Sequence, residues 1–406
     1  MTKEKLIINN FAGFDHIEID LKPINIFIGP QAAGKSVIIK LVYFFKSYIY
    51  DLGGGAYQVL GAEKFNKQQI SYFLKYFPPI SWGNKVFEIE YYQSNSFIKV
   101  KREENSISFS FSQDLIELNS TLNIELESIK KRQRDKLEVN LSKESILEKL
   151  KKSFLDKQDI QNSMQVFIPA GRSFFSNVKN NIFSIVQGDN TLDPFLVNFG
   201  SFYEIAKDEI DRAVENNSFF NLYNQIIQGQ YTKIKDEDFL TLKDGRTVSL
   251  RNASSGQQEA FPLLSFLYFV NFIQFSISLH IEEPEAHLYP DAQKKIVQLL
   301  AQVYNTQNKQ LFITTHSPYI LASFNNLIEA GNIIKTKPGS ADKVYKIIPK
   351  EEVLSIDDLI AYSIKDGKKE ILLDKENNLI SQNILDDVSN DISKEFNALL
   401  DIEFGE

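Results

Sequence analysis

Ile24 to Ile28 is an unbroken apolar run, and it stops at the octet Gly29-Pro30-Gln31-Ala32-Ala33-Gly34-Lys35-Ser36. From Ser36 to Tyr50 the apolar positions follow helical spacing. A strand apolar on both faces belongs inside a sheet with covered faces. A glycine-rich turn between such a strand and a helix satisfies G-x-x-x-x-G-K-[ST] in the context that gives the pattern meaning. The glycines let backbone N–H groups turn inward around a phosphate, and the helix N-terminus adds partial positive charge there. Lys35 reaches toward β- and γ-phosphates, and the Ser36 hydroxyl is a magnesium ligand. The expected ligand is therefore ATP with Mg²⁺, held by Gly29 to Ser36.

Such a loop needs carboxylates from a neighbouring strand. Ser276 to Glu283 is an apolar stretch ending in two of them. By position Glu282 takes the metal and Glu283 orients the attacking water. The same pair could instead cap the helix expected over Tyr289 to Tyr304, since acids are favoured at helix N-termini. Its place on an apolar strand downstream of a phosphate loop favours the catalytic reading.

Two further segments narrow the class. Ser254-Ser255-Gly256-Gln257-Gln258 precedes a long apolar helix and resembles the signature sequence of ABC-type ATPases. That resemblance implies that Ser255, Gly256 and Gln258 face the γ-phosphate bound by a second copy. Leu311 to Thr315 reads as a strand ending at His316, with Ser317-Pro318 next. This resembles the switch histidine of the same ATPases, which contacts the γ-phosphate; alone, a histidine there is an ordinary polar residue.

Around these motifs, Leu6 to Asn10 and Ile17 to Leu21 read as strands joined at Ala12-Gly13. Phe87 to Tyr92, Phe97 to Val100 and Ile107 to Phe111 read as a meander. Gly53 to Gly55 marks a break, and the stretch onward to Trp82 carries no clear pattern. Residues 113–160 read as a helical hairpin with its tip near Asn140 to Glu144. Its many lysines and arginines form either a solvated face or an arm for DNA or protein. Val166 to Pro169, Phe239 to Leu242 and Thr247 to Leu250 read as strands. The expected division is an α/β ABC-type core over 1–112 and 161–350, the inserted hairpin over 113–160, and a mixed tail over 351–406. That tail includes an amphipathic helix bearing Ile384, Leu385, Val388, Ile392, Phe396 and Leu399.

Composition sets limits. A net charge of −8 argues against a generally basic, nucleic-acid-coating surface. The chain has no cysteine, which excludes disulfides and thiolate metal sites and suits a reducing cytoplasm. The stretch Phe261 to Leu279 comes nearest to a membrane span, but Asn271 and Gln274 interrupt it. A cytoplasmic protein is the expectation.

The motif order is that of ABC-type ATPases of the SMC and RecF kind. Ile281-Glu282-Glu283-Pro284-Glu285-Ala286-His287-Leu288-Tyr289-Pro290, Ala253 to Glu259 and Thr314-Thr315-His316-Ser317-Pro318 resemble the overcoming-lysogenisation-defect-like ATPases. The resemblance covers roughly 1–50 and 165–350. It implies a homodimer, or a higher oligomer, with ATP at the interface and the loop Ala286 to Asp291 beside it. Phe167 to Arg172 resembles the strand leading to the Q-loop, which makes Arg172 a candidate nucleotide contact. Gln257 departs from the signature by replacing its second glycine, and Glu282 stands where an aspartate is usual in transporters. The stretch after His316 lacks an Asp-x-Asp pair on a strand, so a fused TOPRIM nuclease is not expected. The resemblance thus implies an ATPase subunit of an anti-phage system such as PARIS, Septu or a retron. Its separate effector would be nuclease-like, of TOPRIM type, and its trigger a phage protein. The competing expectation is a DNA repair or recombination ATPase.

Overall fold

The computed structural model describes residues 4–54, 57, 60–83, 85–104, 106–134, 143–177, 192–211, 218–234, 237–306, 309–381, 394–397 and 399. Three strands open the chain: β1 (Glu4–Phe11), β2 (Phe14–Leu21) and β3 (Ile24–Ile28). Every residue of β3 is buried, and α1 (Lys35–Asp51) follows it after the glycine-rich turn. The meander is β4 (Phe87–Gln93), β5 (Ser96–Glu103) and β6 (Ser106–Phe111). It joins the first two strands in an antiparallel sheet of order β2-β1-β4-β5-β6.

The sequence pattern missed α2 (Ala62–Tyr76), which buries Phe65, Gln69 and Phe73. A polar residue in the middle of that inward face hides the periodicity. The hairpin is α3 (Gln113–Arg134) and α4 (Lys143–Lys157). Leu115, Leu118, Leu122, Leu126 and Ile129, with Leu147 and Leu155, are buried in the cluster that also holds α1 and the antiparallel sheet. The base of the hairpin therefore lies on the body. Lys151, expected among its solvated charges, is buried instead: its ammonium stands over the Tyr50 ring at 5.4 Å, and burial lowers its pKa. The expected tip lies largely outside the described residues.

The remaining strands are β7 (Met164–Ile168), β8 (Gly229–Ile234), β9 (Glu237–Leu242), β10 (Thr247–Ser249), β11 (Ile277–Glu282), β12 (Lys309–Thr315), β13 (Leu359–Lys365) and β14 (Lys368–Ile371). The main helices are α5 (Pro194–Asp211), α6 (Ser218–Ile227), α7 (Ser255–Asn271), α8 (Pro290–Asn305) and α9 (Pro318–Thr336). Strands β8 to β10 form a small antiparallel sheet, of which β8 escaped the sequence pattern.

The central sheet has the order β14-β13-β3-β12-β11-β7 and is parallel except for β14. Its faces separate two cores. Ile24, Ile26, Val166, Ile168, Leu279, Ile281, Leu311 and Ile313 face one, with α7, α8 and α9. Phe27, Phe167, Phe312 and Tyr362 face the other, with α1 and the antiparallel sheet. The stretch 351–406, expected as a tail, gives this sheet β13, which pairs directly with β3. The amphipathic helix expected near the C-terminus lies mostly outside the described residues. Among the described residues, no helix is long and apolar enough to cross a membrane.

Candidate nucleotide site

Register brings the motifs together. Thr315 pairs with Ile28 and Glu282 with Thr314, so β3, β12 and β11 end at one level. Ligands of parallel α/β sheets bind beyond the carboxyl ends of the strands. Here those ends carry Gly29, His316 and Glu283.

The loop Gly29 to Gly34 is fixed by packing as well as by its own conformation. Gly29, Ala32 and Gly34 have φ of 153°, 60° and 92°. A β-carbon on Gly29 would run into the Ile364 carbonyl of β13, and one on Gly34 into the Phe14 ring. Both glycines are thus demanded by neighbours from other strands.

Lys35 Nζ donates to the Gly29 and Pro30 carbonyls at 2.7 and 2.8 Å and lies 3.2 Å from His316 Nε2. Burial lowers its pKa, against the opposing pull of the Glu283 and Glu285 carboxylates. His316 Nε2 is also 3.2 Å from Glu283 Oε1. One nitrogen cannot serve both neighbours in one state: protonated it donates to Glu283, and unprotonated it accepts from Lys35. Lysine, histidine and glutamate thus meet within hydrogen-bond reach on the β12–β11 side of the loop. Ser36 lies in the first turn of α1.

Glu282 is buried and accepts from the Ala170 N–H at 3.2 Å. Glu283 has φ of 43°, so the backbone turns sharply between the two acids and only the second is substantially exposed. Glu285, given no role from sequence, completes the arrangement. Its Oε1 accepts from Thr315 Oγ1 at 2.6 Å and from the His316 N–H at 2.8 Å. Its Oε2 is buried and has no partner among protein atoms. The signal was present in the sequence as a third acid two residues after the pair, but spacing alone did not show what it would hold.

Arg172 is corrected. It is fully buried, and its guanidinium donates to the carbonyls of Pro169, Glu282, Glu283 and Glu259 at 2.7–3.1 Å. The Glu259 carboxylate takes the backbone N–H groups of Arg172 and Ser173. With its guanidinium fully buried and bonded to backbone carbonyls, Arg172 fastens the signature helix to the end of β11 rather than facing an open site.

The signature segment sits apart from the loop of its own chain. Ser254 caps α7 in a box closed by Gln257, and Ser255 is exposed at the helix start. Gly256 lies so near the post-β11 loop that a β-carbon would be 2.8 Å from the His287 carbonyl oxygen. Gln258 donates to the Arg251 and Ala253 carbonyls at 2.7 and 3.1 Å. A cavity of about 320 Å³ beside Gly256 is lined by Gln228, His287, Leu288 and Tyr289 and shares no residue with the phosphate loop.

The description AAA ATPase domain matches residues 1–321, the stretch that contains every one of these motifs. The chain belongs to the AAA ATPase domain family. An AAA ATPase domain binds nucleotide, and the α/β sheet with its flanking helices is the P-loop ATPase fold. No curated protein matches this AAA ATPase domain chain. Among solved structures it is similar to an Smc head bound to the C-terminal winged-helix domain of ScpA. The identity is 14%, the coverage 90% of this chain and 95% of that one, and the TM-score 0.43. It is similar to the SMC head domain from Thermotoga maritima at 12% identity, with coverage of 91% and 98% and a TM-score of 0.38. It is also similar to the recombination mediator protein RecF with ATPrS, at 10% identity, coverage of 92% and 98%, and a TM-score of 0.35. Likenesses this remote say nothing of what this AAA ATPase domain protein acts on.

Proposed function

We propose that the chain hydrolyses ATP across a head-to-tail pair of copies, with each nucleotide between the phosphate loop of one and the signature segment of the other. The observation that carries this reading is the split of the site. His316 Nε2 lies 3.2 Å from both Lys35 and Glu283, while Ser254 and Gly256 border a separate cavity and Ser255 is exposed beside them. A second copy supplies the missing side.

In this reading the N–H groups of the loop and Lys35 hold the phosphates. Ser36 and Glu282 offer hard oxygen ligands, the donor type magnesium takes when it bridges protein and substrate phosphates. The ion, when bound, neutralises charge developing on the β- and γ-phosphates. Glu283 accepts a proton from, and orients, the attacking water. His316 Nε2 donates to the γ-phosphate in place of Glu283, and Ser255 with the α7 N-terminus faces that phosphate from the partner. Hydrolysis cuts the γ-phosphate from ADP, its release removes the charge that bridges the two copies, and the pair reopens.

The pair then acts as a nucleotide-gated scaffold for a separate effector in anti-phage defence. Support for that narrower role is the resemblance of Ile281 to Pro290 and Thr314 to Pro318 to the overcoming-lysogenisation-defect-like ATPases. The test is ATP turnover by the purified chain with linear duplex DNA titrated in at low and moderate salt. Slow turnover indifferent to DNA is expected. Strong stimulation that fades with salt would replace the scaffold with a DNA-maintenance ATPase.

A further inference from the structure

Resting on the nucleotide reading above, we infer that the tight turn between β13 and β14 forms the lip of the nucleoside subsite, with the Asp366 carboxylate as its specificity-determining acceptor. The turn lies beyond the residues that the family description covers.

The orientation of a triphosphate on this loop follows from strand order. Within one copy, the groups assigned to the γ-phosphate and its attacking water, namely Lys35, His316 and Glu283, lie together on the side of β3 that carries β12 and β11. The chain of phosphates crosses the loop from there, so the nucleoside leaves on the opposite side, where β13 is the neighbour of β3. A cavity of about 270 Å³ lies on that side. Its walls are the β1–β2 turn (Ala12, Gly13 and Phe14), Pro30 to Ala33 of the loop, and Asp366 with Gly367. It falls just below the roughly 300–1,000 Å³ of drug-sized ligand pockets, the size for one part of a nucleotide rather than the whole.

Close backbone contacts hold the walls in place. β13 is in register with β3 up to Ser363 opposite Ile28, and the Ile364 carbonyl occupies the space a Gly29 side chain would need. A β-carbon on Gly367 would stand 3.0 Å from the Gly13 carbonyl oxygen, so the two turns touch. Asp366 and Gly367 have φ of 50° and 70°, the paired positive values of the two-residue hairpin turn that Asp-Gly favours. The Phe14 ring is buried against Gly34, leaving no aromatic face on this wall for a base to stack on. Among the described lining residues, Asp366 is the charged one. Its carboxylate is an acceptor, matched to the nucleoside's donors: the ribose hydroxyls or the exocyclic amine of adenine.

The test is calorimetric binding to the full-length Glu283→Gln protein with magnesium, using ATP, 2′-deoxy-ATP, ITP and tripolyphosphate. Asp366→Gly removes the carboxylate yet keeps a residue suited to positive φ, and Asp366→Asn keeps the turn and removes only the charge. Asp366→Gly is expected to weaken ATP about tenfold, the scale of one hydrogen bond to a charged group, and to leave tripolyphosphate unchanged or tighter. Asp366→Asn should fall between. If the ribose is the donor, 2′-deoxy-ATP loses its sensitivity to Asp366; if the amine is, ITP does. Equal ATP affinity in both variants and the parent overturns the proposal. Equal weakening of ATP and tripolyphosphate also overturns it, because the effect then lies in the phosphate loop. Failure of the parent to bind any of the four would sink the nucleotide reading itself.

Discussion

At the residue scale, the candidate site is shaped by side chains that bond its backbone, and Glu285 is the clearest. By taking the Thr315 hydroxyl and the His316 N–H it sets where β12 ends and where the imidazole stands. Glu285→Ala should lower kcat roughly ten- to a hundredfold, the usual cost of losing an outer partner of a reacting group. ATP affinity should stay nearly constant, and Glu285→Gln, which keeps an acceptor oxygen, should recover most of the rate. If Glu285 acts through His316, its loss adds little in a His316→Ala background. Full additivity of the two rate effects would show that it acts elsewhere.

His280 makes a residue-scale prediction of a different kind. It is fully buried, 2.9 Å from Gln165 Oε1 and stacked on Phe312. Burial, reinforced by the Lys46 cation, holds the imidazole well below its ordinary pKa. The unfolded histidine titrates near 6.5, so below about that pH the unfolded chain binds a proton that the folded chain refuses. This contribution to stability is complete above about pH 6.5 and is lost as the pH falls, at up to about 1.4 kcal/mol per unit. Denaturant unfolding of wild type and His280→Gln between pH 7.5 and 5 should therefore give profiles that converge on the acid side. Parallel profiles would mean that the imidazole protonates without cost.

At the scale of elements, the signature helix shows why this chain departs from the glycine expected at position 257. Ser254 Oγ accepts from the Gln257 N–H, and the Gln257 side chain accepts from the Ser254 N–H at 3.0 Å, which is a capping box. Gln257 also donates to the Ile227 carbonyl at 2.8 Å and so ties α7 to the end of α6. Gln257→Gly should lower unfolding stability by about 1–2 kcal/mol through lost capping and backbone entropy. A thermal midpoint equal to wild type would contradict the box. The strands that carry the site were legible because each is a short apolar run ending in a motif. Helix α2 was not, because Gln69 occupies its inward face, and the place of Arg172 was hidden because its partners are backbone carbonyls from three separate segments. The pairing of β13 with β3 was equally hidden. Nothing local in Leu359 to Lys365 says which of the buried strands it will join.

At the scale of the whole molecule, the separation of the signature segment from the phosphate loop dictates how two damaged copies should behave together. Lys35→Ala removes the phosphate grip, and Ser255→Arg blocks the surface offered to the partner; each variant alone should be nearly inactive. In a pair containing one of each, one site combines both defects while the other joins an intact loop to an intact signature. Random mixing of equal amounts makes half the pairs mixed, each with one of two sites intact, so roughly a quarter of wild-type turnover should return. The restored rate should rise and fall with the mixing ratio, with its maximum at equal amounts. A site contained within one copy predicts no recovery at any ratio, because each variant would then carry its own defect into every site it owns. A symmetric face-to-face pairing that left the signature outward predicts the same silence. Recovery near a quarter therefore separates the head-to-tail arrangement from both, using two substitutions that lie far enough apart on the chain to act independently.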